Sequence, residues 1–345
     1  MSETLSRGEL AALALAQERL GRWDEAAALY ARTFRASLAA GVVADAVDAL
    51  RGQARVYTGE QRWEEAEEMA QLSREIAERT GLARSAARAV NVVGMVRYDQ
   101  GDWAGAHTHY TRALELALDI GDDELAGLAL QNSGVIANLT GDLREARTLY
   151  LESIGSFVRS GSSASAALAY NNLGMVCGDL REWMEAEIFF GRGIEIAERI
   201  GYTPILASLL SNRAEPLIQV GDLDEARASL DRAEAIALEI DDRSTLSQVA
   251  RYRAMLSRLQ DDLAAAEEAL ERALELAGEM KLARADALRE LGELRLAQGR
   301  REEAAAALRE SRSLFASLGA AHDLREIETR LAQVNPRQPQ PMDKG

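Results

Sequence analysis

Three side-chain amides stand 40 residues apart, at Asn91, Gln131 and Asn171. An amide carries both a donor and an acceptor, so a row of them suits the backbone of an extended peptide. Arg51 and Arg55 lie one helical turn apart, with Arg88 further along. Such a basic cluster suits a carboxylate or an acidic side chain. Arg251 and Arg289 offer the same chemistry towards the other end of the chain. In the blander alternative, these arginines pair with acids such as Asp48, Glu215 or Asp286 and only solvate a surface. Either way the chemistry is binding, not bond breaking.

The residues that could support catalysis are poorly placed for it. His107 and His109 are two apart, so on a helix they point about 200° from each other and cannot share a metal ion. His322 is far along the chain. Cys177 is the only cysteine, sits on an apolar stripe and has no neighbour that would lower its pKa. Glu64-Glu65 and Glu267-Glu268 fall at helix starts, where the helix dipole accounts for them. No phosphate-cradling glycine loop, Gly-x-Ser-x-Gly or His-Glu-x-x-His is present. The sequence therefore implies no catalytic residue, no metal ligand and no cofactor.

What positions the amides is a repeat. Glycine or alanine recurs at Ala14, Ala54, Gly94, Gly134, Gly174, Ala214 and Ala254, and alanine follows twelve residues after each, from Ala26 to Ala266. Gly292 and Ala304 form an eighth copy, two residues early. A third series, Gly41, Gly81, Gly121, Gly161, Gly201, Asp241, Lys281 and Gly319, marks the unit ends. Three series on one period describe a single supersecondary unit stacked eight times. Within each unit the apolar period is 3.6, as for Tyr170, Leu173, Gly174 and Cys177. Two helices, A and B, are joined by a tight turn such as Gly101-Asp102-Trp103, in which aspartate caps helix B. Asp24 is expected to cap the first B helix. Pro216 falls inside a helix A and should kink it.

The sequence thus predicts an all-α protein forming a right-handed superhelical solenoid of eight hairpins, with repeats at about 5–41, 42–81, 82–121, 122–161, 162–201, 202–241, 242–281 and 282–319. A capping helix follows at 320–334, with Leu324, Ile327, Leu331 and Val334 buried and Asp323, Arg325, Glu326, Glu328 and Arg330 wet. The stretch 1–334 reads as one domain, and 335–345, with three prolines, as a disordered tail. The 345 residues carry a net charge of −16, which argues against nucleic acid and anionic membrane as partners. No apolar run is long enough to span a bilayer. No signal peptide is visible, and one cysteine suits a reducing cytoplasm.

The unit resembles the tetratricopeptide repeat. That family has a small residue eight positions into helix A, alanine early in helix B and an aromatic four residues later, matched here by Gly174, Ala186 and Phe190. The common repeat has 34 residues, whereas this one has 40. The longer form is similar to repeats in kinesin light chains and in bacterial regulators of the maltose-activator type. The resemblance implies a concave groove lined by A helices and binding of partner peptides. It also places the groove contacts at the residue after the helix A aromatic and the one four further on. Among these positions are Arg51, Asn91, Gln131, Asn171, Arg251 and Arg289, then Arg55, Met95, Met175 and Met255, with Arg88 nearby.

The expected function is a peptide-binding adaptor, with an acidic group or C-terminal carboxylate on the partner. One alternative is a sensor whose pitch changes with ligand, and another is a self-associating scaffold. Trp23, Trp63, Trp103 and Trp183 share the A–B turn register, which implies packing and not a ligand cage.

Overall fold

In the computed structural model, which describes residues 5–334, the chain is all-α. It forms α1 Arg7–Arg19, α2 Trp23–Ala39, α3 Val43–Gly59, α4 Trp63–Arg79, α5 Ala83–Asp99, α6 Trp103–Asp119, α7 Asp123–Thr140, α8 Leu143–Ser160 and α9 Ser163–Asp179. There follow α10 Trp183–Ile200, α11 Thr203–Val220, α12 Leu223–Glu239, α13 Arg243–Leu259, α14 Leu263–Ala277, α15 Lys281–Ala297, α16 Arg301–Leu318 and α17 Ala321–Val334. Odd-numbered helices up to α15 are the A helices of the repeat and even-numbered ones the B helices. The architecture is that of a solenoid of helix-turn-helix repeats. The tail expected at 335–345 lies outside the described residues.

Two compact units are present. Among the described residues, one holds those up to 136 together with 155–161, and the other holds 137–154 and those from 162 on. In the first, α1 to α6 pack in chain order, and the A helices α1, α3 and α5 also touch one another. The second is built alike from α9 to α16, with each of α9, α11 and α13 touching the next A helix and α17 laid on α16. Stacking A on A exposes one face of each A helix on the same side of its unit, and this arrangement positions the amides and arginines.

The small residues permit the close crossing of A and B. A Cβ on Gly174 would lie 2.7 Å from Phe190 Cε1, closer than carbon atoms tolerate. Ala186 and Phe190 are buried beside it. Serines add bonds between the two helices of a hairpin: Ser73 Oγ donates to the Val47 carbonyl at 3.2 Å, Ser247 to Ala273 at 2.8 Å and Ser311 to Ala285 at 2.7 Å.

Four of the eight A–B turns follow their predicted chemistry, while Arg22, Arg62, Glu182 and Arg300 head the other four B helices without a side-chain cap. Asp102, Asp142, Asp222 and Asp262 each accept from the backbone N–H three residues on. The first turn differs. Arg22 occupies the N-cap of α2 without a side-chain bond, and Asp24 sits inside the first turn, where its charge faces the helix dipole. The seventh unit also ends differently. Its turn is taken by Gly278, with φ of +50°, and Lys281 already begins α15. That early stop explains the two-residue advance of Gly292 and Ala304. Pro216 lies inside α11, which continues to Val220.

Candidate functional site

In the first unit, α3, α5 and α7 carry Arg51, Arg55, Arg88, Asn91 and Gln131. Arg55 is held within the unit through two of its three nitrogens. Its Nε and Nη2 reach the two carboxylate oxygens of Glu18 at 2.7 and 2.8 Å, and Nη2 also donates to Tyr30 Oη at 3.2 Å. Tyr30 in turn donates to Glu18 at 2.6 Å. Burial works to raise the Glu18 carboxyl, but the hydrogen bonds and charge of Arg55 outweigh it and hold Glu18 below the usual range. Burial likewise drives the Tyr30 hydroxyl up.

Arg88 pairs with Glu124 at 3.2 Å. Arg51 gives Nη2 to Asp48 at 2.6 Å, but its Nε is buried without a hydrogen-bond partner. Burial lowers the Arg51 guanidinium; Asp48 works to raise it, and Arg88 and Arg55 press the other way. The amides divide as well. Asn91 is buried, and its Oδ1 accepts from Asn132 Nδ2 of the next A helix at 3.2 Å. Gln131 Oε1 is buried with no partner.

The second unit repeats this pattern and adds a partly open cavity. Asn171 Oδ1 accepts from Asn212 Nδ2 at 2.9 Å, while its own Nδ2 lies 3.7 Å from Met175 Sδ. Met175 is exposed, and Met255 is buried. Arg289 binds Asp286 at 2.7 Å and Asp323 at 2.9 Å. Arg251 is only 7 % exposed, and its guanidinium lies 3.9 Å from the centre of the Tyr252 ring. Tyr252 Oη donates to Glu215 at 3.0 Å. Met175, Arg251 and Arg289 line one cavity of about 210 Å³. Of the acids named as alternative partners, Asp48 and Asp286 do pair with arginines, whereas Glu215 is taken by Tyr252.

The partners Glu18, Tyr30, Asn132, Asn212, Tyr252 and Asp323 were not singled out as site residues. A signal for them exists. Glu18 and Arg55, Glu215 and Tyr252, and Glu293 and Arg330 are each 37 residues apart. That interval is one repeat less about one helical turn, so it places two residues opposite each other on neighbouring A helices or, for Arg330, on α17 beside α15. Among the described residues no group of three or more His, Cys, Asp or Glu could hold a metal, and no helix is long and apolar enough to cross a membrane.

Comparison with known proteins fixes the family. A tetratricopeptide repeat model matches residues 45–119, 84–157 and 165–239, and two others of the same description match 9–37 and 257–317. The chain belongs to the tetratricopeptide repeat family. No curated protein matches it.

Among solved structures, this tetratricopeptide repeat chain is similar to a signal transduction ATPase with numerous domains from Pyrococcus horikoshii, which carries a tetratricopeptide repeat sensor. The TM-score is 0.63 at 17 % identity, over 79 % of this chain and 42 % of that one. The apo form of RapI aligns with a TM-score of 0.59 at 14 % identity, over 80 % and 99 % of the two chains. The Rap conjugation gene regulator of plasmid pLS20, in complex with the Phr* peptide, gives 0.57 at 18 % identity over 81 % and 78 %. At these identities the likeness is one of fold.

Proposed function

We propose that this protein is a cytoplasmic adaptor whose A-helix face in the first unit binds a peptide segment of a partner protein. The observation that carries this is a pair of buried polar atoms without partners, the donor Arg51 Nε and the acceptor Gln131 Oε1. Both belong to one register of the repeat. Buried polar groups are satisfied in the great majority of native positions, so orphans on one face point to a ligand that satisfies them. A peptide backbone offers both a carbonyl and an N–H. The half-buried Met95 of the same face supplies an adaptable apolar contact. Arg51, with one nitrogen held by Asp48, favours an acidic side chain or a terminal carboxylate on the peptide.

The peptide complex of the pLS20 regulator supports the reading by analogy of fold. The 40-residue period supports a long-repeat type similar to kinesin light chains and maltose-type regulators. Asn91 and Asn171 enter this reading as positioning residues, because their oxygens already bind the next repeat. Selection of a displayed random nine-residue peptide library on the protein tests it. Selected peptides are expected to lose at least tenfold in affinity against Gln131→Leu and against Arg51→Met. Equal binding by both variants sinks the assignment.

A further inference from the structure

In the second unit the C-terminal helix packs beside the cavity. This helix, α17, reaches back across a long stretch of chain. Arg325 Nη2 donates to the Gly141 carbonyl at 3.2 Å, Glu326 approaches Arg181 at 3.6 Å, and Leu139 packs against the cluster that holds Ile327. His322 and Asp323 of α17 thereby form one wall of the space that Met175, Arg251 and Arg289 line from the other A helices. At about 210 Å³ the cavity is the size of a single residue, too small for a peptide strand or a helix.

Its polar lining is unbalanced. Arg289 and Glu215 have partners within the wall, but among the described residues no hydrogen bond or ion pair holds the Arg251 guanidinium, although the residue is 93 % buried if 7 % is exposed. Burial works against this guanidinium, and Tyr252, Asp286 and Glu215 outweigh it, yet its N–H groups bond no acceptor, which a ligand carboxylate can supply. A simple anion does not fit the remainder. Asp179 opens on the same cavity and also lacks a hydrogen-bond partner among the described residues. Asp179 keeps an exposed edge, but the protein packed around its carboxyl raises it well above the usual range, and the neighbouring Asp323 and Glu215 add to the rise. This excess of carboxylates calls for a cation. Both demands fall within one residue-sized space, with Met175, Phe190 and Leu139 as its apolar side.

We propose that the cavity of the second unit binds a free α-amino acid, with its carboxylate on Arg251, its ammonium towards Asp179 and Glu215, and its side chain against Met175, Phe190 and Leu139. His322 and Asp323 of α17 wall the space beside the bound molecule, so the amino acid acts as a small effector of this unit, separate from the peptide face of the first. The site stands or falls independently of peptide binding, because none of its residues lies in the first unit.

Calorimetric titration and thermal melting with each of the twenty free amino acids test the proposal. One or a few are expected to bind and to raise the melting temperature. Their N-acetyl forms, which lack the ammonium, and their amides, which lack the carboxylate, should each bind at least tenfold more weakly. Arg251→Met should abolish binding while leaving the protein folded, and Asp179→Asn should weaken it in a fold free of any change at Arg251. The proposal is overturned by no response to any of the twenty, by equal binding of the N-acetyl forms or of inorganic phosphate, or by binding that survives both substitutions.

Discussion

Removing one member of the Asn171–Asn212 pair tests whether the amides of the A helices hold neighbouring repeats together. Asn171 is 8 % and Asn212 6 % exposed, and the bond between them is 2.9 Å long. Asn212→Ala leaves the Asn171 oxygen buried with no donor, and Asn171→Ala leaves the Asn212 amide buried with no acceptor. Each orphan costs about 1–3 kcal/mol. A neutral hydrogen bond is worth about 0.5–1.5 kcal/mol net, so the double variant should cost about 1 kcal/mol less than the two singles summed. Urea unfolding followed by the fluorescence of Trp183 reads this locally, with Trp23, Trp63 and Trp103 replaced by phenylalanine. Trp183 begins the B helix of the repeat that carries Asn171, so it reports on the right part of a repeat array. Singles within about 0.5 kcal/mol of the parent and a coupling below about 0.3 kcal/mol would refute the reasoning.

Three other outcomes are expected. Arg55→Ala should cost about 2 kcal/mol at neutral pH, since it strands a Glu18 side chain only 14 % exposed. Because Glu18 is lowered in the folded state from 4.5, that stabilisation is full above 4.5 and fades as pH falls through the lowered folded value; chemical unfolding at acid and neutral pH checks it. Gly174→Val should destabilise by about 1–3 kcal/mol, because its new carbons meet the Phe190 ring, which a melting curve compared with Gly8→Val, where nothing lies within 4 Å, will show. Asp179→Asn should raise the melting temperature at pH 7. The raised folded carboxyl binds a proton that the unfolded chain has released, so stability falls as pH climbs from the ordinary aspartate value of 3.8 to the raised one. Calorimetry should find the gain at pH 7 and none where both forms are protonated.

The period and the alternation of helices are legible in the sequence because the backbone demands them at every repeat. The crossing of A and B admits only a small residue, and the hairpin turn needs a positive φ, met by Gly101 at +82° and even by Arg181 at +61°. The site is less legible. Arg55 and Arg251 share a residue type and neighbouring registers, yet one is clamped by Glu18 and the other has no acceptor. Their difference lies about one repeat away, on the facing A helix, where Glu18 meets Arg55 and Glu215 is taken by Tyr252 instead. The wall contributed by α17 was beyond reach for a similar reason. Its stripe of Leu324, Ile327 and Leu331 is readable as periodicity, but the bond from Arg325 to Gly141 spans 184 residues, an interval no repeat period relates.

Gln131→Leu offers the most direct measurement, because stability and binding should move in opposite directions. Replacing a buried, unpaired acceptor by an apolar group of similar size should leave the melting temperature unchanged or raise it. The same substitution should weaken a selected peptide at least tenfold in a fluorescence-anisotropy titration. A variant that melts lower while binding the peptide as tightly as the parent would contradict peptide capture by this face.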